Sequence, residues 1–287
     1  MSRIIKHLAN VIEVLLGRTG PGRGVTVFPD DRFVVSFPRS GNTWTRFLIG
    51  NLVHPDTPVT FANLESLVPS IYIRPDRALR GIARPRVLAS HECFEPRYPK
   101  VIYIVRDPRD VAVSYYHHNL KIRNLPDNYP VAQYVSRFIA ADLYAPVDRY
   151  GPWGDHVLSW LALREGQSRF LLLRYEDLLA NPQVELARAA RFLDVPATPE
   201  SLARAVELSS AARMRELEKS QHKQWEQTRG TRPDRPFVRG ATSGTWDTLL
   251  PERSVAEIEA AWGGVMRRLG YELTCAAGES ADGRATH

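Results

Sequence analysis

The sequence predicts an α/β protein built in three layers, with helices on both faces of a central parallel sheet. Short runs of apolar residues bounded by turn residues predict buried strands at residues 32–37, 86–91, 101–105 and 170–174. Between these runs lie longer stretches in which apolar side chains recur at helical spacing. Strands that alternate with helices along a chain are typical of a parallel sheet covered on both faces.

The predicted helices follow the strands in order. Residues 43–52, directly after the first strand, have apolar side chains at helical spacing. The third strand is followed by Asp107, which suits a helix N-cap, and by Pro108, which suits the first helical position. The charge of Asp110 favours the same helix end. The remaining predicted helices are 155–165, 184–193, 199–208, 211–219 and 252–269.

The domain organisation is predicted to be simple. A length of 287 residues allows one or two domains at about 150 residues each. No internal repeat or break in composition marks a boundary, so we predict one domain over residues 25–275. A helix and link over 1–24 precede it, and a disordered tail over 276–287 follows. Residues 221–243 are predicted to form a long loop, and loops of that length are usually functional or mobile.

The N-terminal residues 3–18 carry an apolar stripe at helical spacing. The stripe is too short to span a bilayer, and polar residues within it interrupt any secretory signal. The helix is predicted either to pack against the domain or to lie on a membrane surface. Cys93 and Cys275 match no metal-binding or redox spacing. This favours a cytoplasmic protein, peripheral to the inner face of the membrane if the helix lies on lipid.

The composition is that of a folded protein with many arginines. Apolar residues make up 44% of the chain and charged residues 24%, which excludes a disordered, collagen-like or disulfide-rich protein. The formal net charge is +6, and only five of the 38 lysines and arginines are lysine. A GC-rich genome explains most of these arginines, whereas a few gathered in one site would bind phosphate or sulfate. No run of five basic residues occurs, so a nucleic-acid partner is not predicted.

The loop between the first strand and the first helix is a candidate anion site. It reads Phe-Pro-Arg-Ser-Gly-Asn-Thr-Trp over residues 37–44. A helix N-terminus offers free backbone N–H groups and the positive end of the helix dipole. Gly41 permits close approach of the backbone, and Arg39 adds positive charge. The ATP-hydrolysing P-loop is not supported, because Gly-x-x-x-x-Gly-Lys-Ser/Thr is absent here.

A second segment, residues 103–116, reads Tyr-Ile-Val-Arg-Asp-Pro-Arg-Asp-Val-Ala-Val-Ser-Tyr-Tyr. Together the two segments resemble the nucleotide-binding fingerprints of the sulfotransferases that use 3′-phosphoadenylyl sulfate (PAPS). The resemblance continues through residues 150–153, 175–177 and 239–246 and covers about residues 32–271. It implies the P-loop-NTPase-like sulfotransferase fold.

The resemblance implies a role for each matching residue. Arg39 contacts the oxygen between the sulfate and the 5′-phosphate, where negative charge grows as the bond breaks. Asp107 and Asp110 are expected to be capping residues, and Arg109 a surface charge. The residues implied to bind the nucleotide are Ser40, Gly41, Asn42 and Thr43 for the 5′-phosphate, Arg106, Ser114, Arg239 and Gly240 for the 3′-phosphate, and Trp44, Tyr175, Ser209 and Ser210 for the adenine end.

Four positions depart from the family pattern, and at one of them Ala241 replaces a family glycine. Ala89 stands where the family has a lysine shortly before its histidine, and Gly240 stands where it has a lysine after the arginine. Ala211 replaces an aromatic residue beside the adenine, so the aromatic pair around the base is expected to be incomplete.

His91 is the predicted catalytic base. Sulfuryl transfer to an alcohol needs a base, donors for the leaving phosphate and in-line alignment, and an imidazole with a pKa near ~6.5 suits the first task. Among eight histidines, His91 ends a predicted strand, where α/β sheets present functional groups, and it matches the family histidine. A structural histidine at a strand end is the alternative. His117 and His118 either line the acceptor pocket or lie at the surface, and the surface is favoured.

The sequence thus predicts transfer of a sulfuryl group from PAPS to a hydroxyl of a small-molecule, lipid or glycan acceptor, releasing adenosine 3′,5′-bisphosphate (PAP). No side-chain set has metal-ligand spacing, so no metal is predicted. The alternatives are a phosphotransferase with a related loop and a non-catalytic PAP- or PAPS-binding protein. Predicted loops at residues 92–98, 120–144 and 221–236 are expected to set acceptor specificity, and the oligomeric state stays open. Either an acceptor pocket or core packing explains the aromatic residues Tyr115, Tyr116, Phe138, Tyr144 and Tyr150.

Overall fold

The computed structural model describes residues 24–142 and 150–274. The predicted N-terminal helix, Tyr144, Cys275 and the predicted tail lie outside the described residues. Within the described ranges, no helix combines the length and the apolar character needed to cross a bilayer.

The central sheet has four parallel strands: β1 (Arg32–Ser36), β2 (Val87–Ser90), β3 (Val101–Val105) and β4 (Phe170–Arg174). Their order across the sheet is β2-β1-β3-β4. All four correspond to predicted strands, and the predicted α/β fold with a central parallel sheet is confirmed. Because the strands are parallel, the loops that follow β1, β2 and β3 are neighbours at one edge of the sheet.

Helices connect the strands and cover the sheet. Their bounds are α1 (Asn42–Val53), α2 (Leu64–Leu67), α3 (Asp76–Arg80), α4 (Pro108–Lys121), α5 (Val131–Ile139), α6 (Trp153–Arg164), α7 (Tyr175–Ala180), α8 (Pro182–Phe192), α9 (Pro199–Leu208), α10 (Ala211–Gln221), α11 (Trp246–Leu249) and α12 (Glu252–Arg268).

The two faces of the sheet have separate apolar cores, because successive strand residues point to opposite sides. Phe33 and Val35 of β1 pack with residues of α4, α5, α6 and α12. Val34, between them, packs with residues of α1, α8 and α9. The structure therefore has the three layers that the sequence predicts.

Five helices are absent from the sequence prediction: α2, α3, α5, α7 and α11. The clearest omission is α5, which lies inside the predicted loop at residues 120–144. Tyr134, Val135 and Phe138 are its buried residues, at the i, i+1, i+4 positions of a helical face. The helical spacing of apolar residues is present in the sequence, but it extends over only nine residues and is therefore easily missed.

Arg109 is not the surface charge that the sequence predicts. Its guanidinium is buried 2.6 Å from Asp107 and 2.6 Å from Glu259 of α12, and it lies 3.9 Å from the centre of the Trp246 ring. Asp107 also caps α4 as expected, accepting a hydrogen bond from the N–H of Arg109 at 2.9 Å. The pair with Glu259 is invisible to local sequence patterns because its members lie far apart in the chain.

Candidate functional site

A cavity of about 800 Å³ lies at the carboxyl edge of the sheet. Its walls come from the β1–α1 loop, the residues directly after β2 and β3, the middle of α4, helix α7, the start of α10 and residues 237–242. It therefore brings together segments that are far apart in sequence. The predicted site residues that line it are Arg39, Gly41, Asn42, Thr43, Trp44, His91, Arg106, Ser114, Tyr175, Arg239 and Gly240.

The β1–α1 loop turns sharply into the N-terminus of α1. Arg39 and Gly41 both have positive φ, 70° and 100°, and Gly41 is the N-cap. A Cβ on Gly41 would lie 2.6 Å from Cδ2 of Tyr175, so only glycine fits without displacement. The N–H groups of the first helical turn lack intrahelical acceptors. Ser40 is buried, and its Oγ has no hydrogen-bond partner within the described residues.

Three arginines from separate segments converge on this cavity. Arg39 Nε donates to Ser114 Oγ at 3.2 Å, and Arg106 donates to the carbonyl oxygen of Thr242 at 3.0 Å. Burial, together with the positive charges of Arg239 and Arg106, lowers the pKa of Arg39 to about 10. Burial and the charge of Arg106 also lower the pKa of Arg239.

This cluster has the chemistry of a site for a polyanion. Like charges held together in a buried place repel one another, and a bound anion relieves that repulsion. Arg106 lies beside Asp110 at 3.7 Å, yet its buried Nε has no partner in the part of the chain that the structure describes. The orphaned donors of Arg106 and Ser40, the glycine cradle and the helix N-terminus all fit a nucleotide with two phosphate groups.

An aromatic corner adjoins the arginines. The Trp44 and Tyr175 rings meet edge to face with centroids 5.7 Å apart, and the Arg106 guanidinium lies 4.2 Å from the centre of the Tyr175 ring. Ala211 also lines the cavity. The residue that departs from the family pattern is therefore part of the cavity wall.

The structure does not bring Ser209 and Ser210 to the cavity, so their predicted contact with the nucleotide needs correction. Ser209 is fully buried: its Oγ accepts from Asn51 at 3.1 Å, and its carbonyl oxygen accepts from Trp44 Nε1 at 3.0 Å. Ser210 caps α10 by accepting from the N–H of Arg213 at 3.3 Å. Ser209 thus fixes the structure behind Trp44, whereas Ser210 fixes the start of α10.

The side chain of Asn42 is also turned away from the role that the sequence implies. Its amide nitrogen donates to the carbonyl oxygens of Val34 at 3.2 Å and Ser90 at 3.4 Å, which ties α1 to the ends of β1 and β2. Asn42 thus offers an anion its backbone N–H and not its side-chain amide.

His91 lines the cavity one residue after β2. Its Nδ1 lies 2.8 Å from the carbonyl oxygen of Ser36. Because a carbonyl oxygen can only accept, Nδ1 carries the proton and Nε2 keeps a free lone pair. Burial lowers the pKa of His91 to about 4, against the raising effect of the Ser36 hydrogen bond, and the charges of Arg46 and Arg39 lower it further. The imidazole is therefore neutral near pH 7.

Two side chains that the sequence analysis did not single out hold the backbone of His91. The N–H of His91 donates to the Tyr72 hydroxyl at 2.9 Å, and its carbonyl oxygen accepts from His156 Nε2 at 3.0 Å. His156 is fully buried, and its Nδ1 accepts from the Tyr103 hydroxyl at 2.8 Å. Only the folded arrangement of α6 against β3 reveals this chain of hydrogen bonds.

His118 follows the less favoured of its two sequence interpretations. It is not at the surface but lines the cavity, and its ring stacks on Tyr115 with centroids 6.1 Å apart. Burial and the positive charges of Arg39 and Lys121 lower its pKa to about 3. Of the predicted pocket aromatics, Tyr115 and Tyr150 line the cavity, whereas Phe138 belongs to the apolar core.

No group of three or more His, Cys, Asp or Glu side chains that could hold a metal ion occurs within residues 24–142 and 150–274. The donors at the cavity are instead arginines, hydroxyls and backbone N–H groups.

The fold and this site define an α/β protein whose cavity has the chemistry of a polyanion site beside a neutral histidine. The sequence profile of the sulfotransferase domain family matches residues 29–270. The chain belongs to that family, as its two nucleotide-binding segments predicted.

Individual relatives agree with this assignment. Sulfotransferase 1B1 of Mus musculus is 30% identical over 252 residues, which cover 82% of this chain and 82% of the relative. Sulfotransferase 1E1 of Rattus norvegicus is 26% identical over 240 residues, covering 78% and 79%. Among solved structures, retinol dehydratase in complex with androsterone and inactive cofactor PAP has a TM-score of 0.68 at 22% identity, covering 88% of this chain and 84% of that one. Mouse sulfotransferase SULT7A1 complexed with PAP has a TM-score of 0.67 at 23% identity, covering 85% and 86%. These structures show the fold that the resemblance implied.

The glycine at the start of α1 gives a first prediction. Gly41→Ala is expected to destabilise the protein by about 1–3 kcal/mol, because it adds strain at positive φ and a clash with Tyr175. We also expect weaker binding of PAP, since the clash displaces the loop or the ring. Denaturant unfolding and calorimetry measure the two effects.

The matched control is Gly166→Ala, which has φ of 78° but no atom within 4 Å of the added Cβ. It carries the backbone strain without the clash. Equal losses of stability and unchanged PAP affinity in both variants would contradict the assigned cradle.

Proposed function

We propose that the protein transfers a sulfuryl group from PAPS to the hydroxyl of a small-molecule or lipid-linked acceptor and releases PAP. The observation that supports this most is the convergence of Arg39, Arg106 and Arg239 on one cavity with the neutral imidazole of His91. We further propose that residues 25–275 form one catalytic domain of a cytoplasmic protein. Membrane contact through residues 3–18 stays a prediction.

The nucleotide is proposed to lie across the loop and the aromatic corner. The first turn of α1 and Ser40 hold the 5′-phosphate, and Arg106, Ser114 and Arg239 hold the 3′-phosphate. Trp44 stacks on the adenine, a contact of about 1–3 kcal/mol per base in single-strand binding proteins. The small side chain of Ala211 leaves that stack without a second aromatic residue.

His91 and Arg39 are proposed to perform the chemistry. His91 Nε2 takes the proton of the acceptor hydroxyl as its oxygen bonds to sulfur. Arg39 stabilises the charge that grows on the phosphate oxygen as its bond to sulfur breaks. The products are a sulfate ester and PAP, with the proton on His91. The hydrogen bonds of Tyr72 and His156 to the His91 backbone fix the ring's position, so that its lone pair is aligned.

The acceptor is proposed to occupy the part of the cavity next to His91. Tyr115, Tyr150, His118 and Phe237 line the same cavity and give it walls that are uncharged near pH 7. Androsterone and retinol are bound by the retinol dehydratase of similar fold. Hydroxyl-bearing molecules of that size are therefore suitable first acceptors to test.

The experiment that tests this function combines purified protein, sulfur-labelled PAPS and a panel of phenols, sterols, retinoids and lipid-linked alcohols. We expect label in one class of acceptor and PAP released in equal amount. Calorimetry with PAP and with ATP plus magnesium separates the alternatives. Preference for ATP would favour a phosphotransferase, and tight PAP binding without turnover of any acceptor would favour a non-catalytic protein.

A further inference from the structure

A long segment without regular structure forms one wall of the cavity. We call residues 222–245, between α10 and α11, the strap; all of them are described, and none belongs to a helix or strand. The strap supplies Phe237, Arg239 and Thr242 to the cavity. Segments of this kind are usually functional or mobile, so what holds the strap in place decides whether the cavity is formed before a nucleotide arrives.

A buried ion pair beneath the strap contacts its backbone. Lys121, the last residue of α4, and Glu218 of α10 lie 3.4 Å apart, with side chains 4% and 9% exposed. Lys121 Nζ donates to the carbonyl oxygens of Arg232 at 3.1 Å and Arg235 at 2.6 Å. Glu218 accepts from the N–H groups of Phe237 at 2.6 Å and Val238 at 2.9 Å. The pair thus satisfies four backbone groups within seven residues of the strap.

The ends of the strap are fixed separately. Near its start, Trp225 stacks on Phe61 and donates from Nε1 to Glu65 at 3.1 Å. At its far end, Asp110 accepts from the N–H of Gly244 at 2.7 Å. The Lys121–Glu218 pair is a buried anchor of the middle of the strap, beside the more exposed pairs of Arg232 and Arg235 with Asp127 and the contact of Phe237 with Trp225.

Two residues at or next to the anchored backbone groups face the cavity: Phe237 and Arg239. The ring of Phe237 lies with its centre 4.6 Å from the Arg39 guanidinium and meets the ring of His118 edge to face at 6.3 Å. Arg239 is one residue beyond the second anchored N–H. Displacement of this stretch would move both Phe237 and Arg239 away from Arg39 and Arg106.

Burying two charges is costly unless each is fully hydrogen-bonded, and replacing such a pair by apolar residues is often neutral or stabilising for the fold. Lys121 and Glu218 do not line the cavity. We infer that Lys121 and Glu218 are positioning residues, which hold the strap so that Phe237 and Arg239 are in place before the nucleotide binds. This inference rests on the proposed function, because it assigns the positioned residues to PAP and PAPS.

The test uses Lys121→Met, Glu218→Gln and the double variant in the full chain. Trypsin cleavage after Lys223, Arg229 and Arg239, without ligand, reports how often the strap leaves its anchor. Arg232 and Arg235 are each followed by proline and are not cleaved. Calorimetry reports PAP affinity, and denaturant unfolding reports overall stability. We expect cleavage within the strap to accelerate about tenfold or more, and the Kd for PAP to rise by about tenfold, in all three variants. Saturating PAP is expected to slow the added cleavage.

Two control variants separate positioning from general damage. Lys100→Met breaks an exposed ion pair in which Lys100 Nζ lies 2.7 Å from Asp194 Oδ2. Like Lys121→Met, it removes one positive charge, but at a place distant from the strap. It is expected to change neither strap cleavage nor PAP affinity. Phe237→Ala keeps the ion pair and is expected to weaken PAP binding while the strap stays protected.

The inference is overturned if the double variant, folded by its unfolding transition, matches Lys100→Met in strap cleavage and in PAP affinity. It is also overturned if cleavage accelerates everywhere in the chain and not selectively in the strap. A wild-type protein that binds no PAP would contradict the proposed function instead, and strap cleavage alone would then decide whether the pair is an anchor.

Discussion

His91→Ala is expected to lower kcat by about 1,000-fold while leaving the affinity for PAP unchanged, because a positioned general base contributes roughly 10²–10⁴-fold. The Nδ1 proton of His91 is committed to the carbonyl oxygen of Ser36, so only Nε2 can accept the hydroxyl proton. Single-turnover rates with saturating PAPS, together with PAP calorimetry, separate chemistry from binding. His54→Ala, at the far end of α1, is the control, and it is expected to keep full activity.

The pH dependence of the wild-type enzyme tests the same assignment. The His91 pKa is lowered to about 4, so the neutral, active form persists well below pH 6.5. Protonation on the acid side removes the base, so kcat/KM should stay level between about pH 6 and 8 and fall only as the pH approaches that lowered pKa. An acid limb centred near pH 6.5, or full activity of His91→Ala, would remove His91 as the base.

Arg39→Met is expected to lower kcat by about 100- to 1,000-fold and to weaken PAP binding by less than about tenfold. Arg39 acts on charge that appears mainly in the transition state. In the resting site it is repelled by Arg106 and Arg239, so its loss also relieves a cost. Single-turnover kinetics and calorimetry measure the two effects, and Arg39→Lys should recover part of kcat.

Arg106→Met is the matched comparison, because its guanidinium is proposed to bind the 3′-phosphate, which is distant from the breaking bond. Truncating one member of a buried charge pair costs about 2–5 kcal/mol, so PAP affinity should fall by about 100-fold or more. The value of kcat at saturating PAPS should fall much less. If PAP affinity and kcat fell in the same proportion in Arg39→Met as in Arg106→Met, the separate roles of the two arginines would be contradicted.

Much of the fold was predictable because its signals are local. Each strand is a short apolar run. The turn into α1 and the cap of α4 are each determined by residues that are neighbours in the sequence. The same logic located much of the site. Arg39, His91 and Arg106 each come shortly after a strand, and the ends of parallel strands meet at one edge.

The features that escaped prediction depend on distant partners. Arg109 is buried because Glu259, far along the chain, neutralises it. Ser209 matches a family position, yet the packing of α9 against α1 turns it towards Asn51 and away from the cavity. The Lys121–Glu218 pair and the Tyr103–His156–His91 hydrogen bonds likewise join segments that no local pattern connects.

A crystal structure of the protein with PAP tests the proposed site most directly. The predicted result places the 5′-phosphate on the first turn of α1 beside Arg39, the 3′-phosphate between Arg106 and Arg239, and the adenine on Trp44. His91 Nε2 should then face open space next to the 5′-phosphate, where the acceptor hydroxyl would lie. PAP bound elsewhere, or bound here with its 3′-phosphate on α1, would contradict the proposed arrangement.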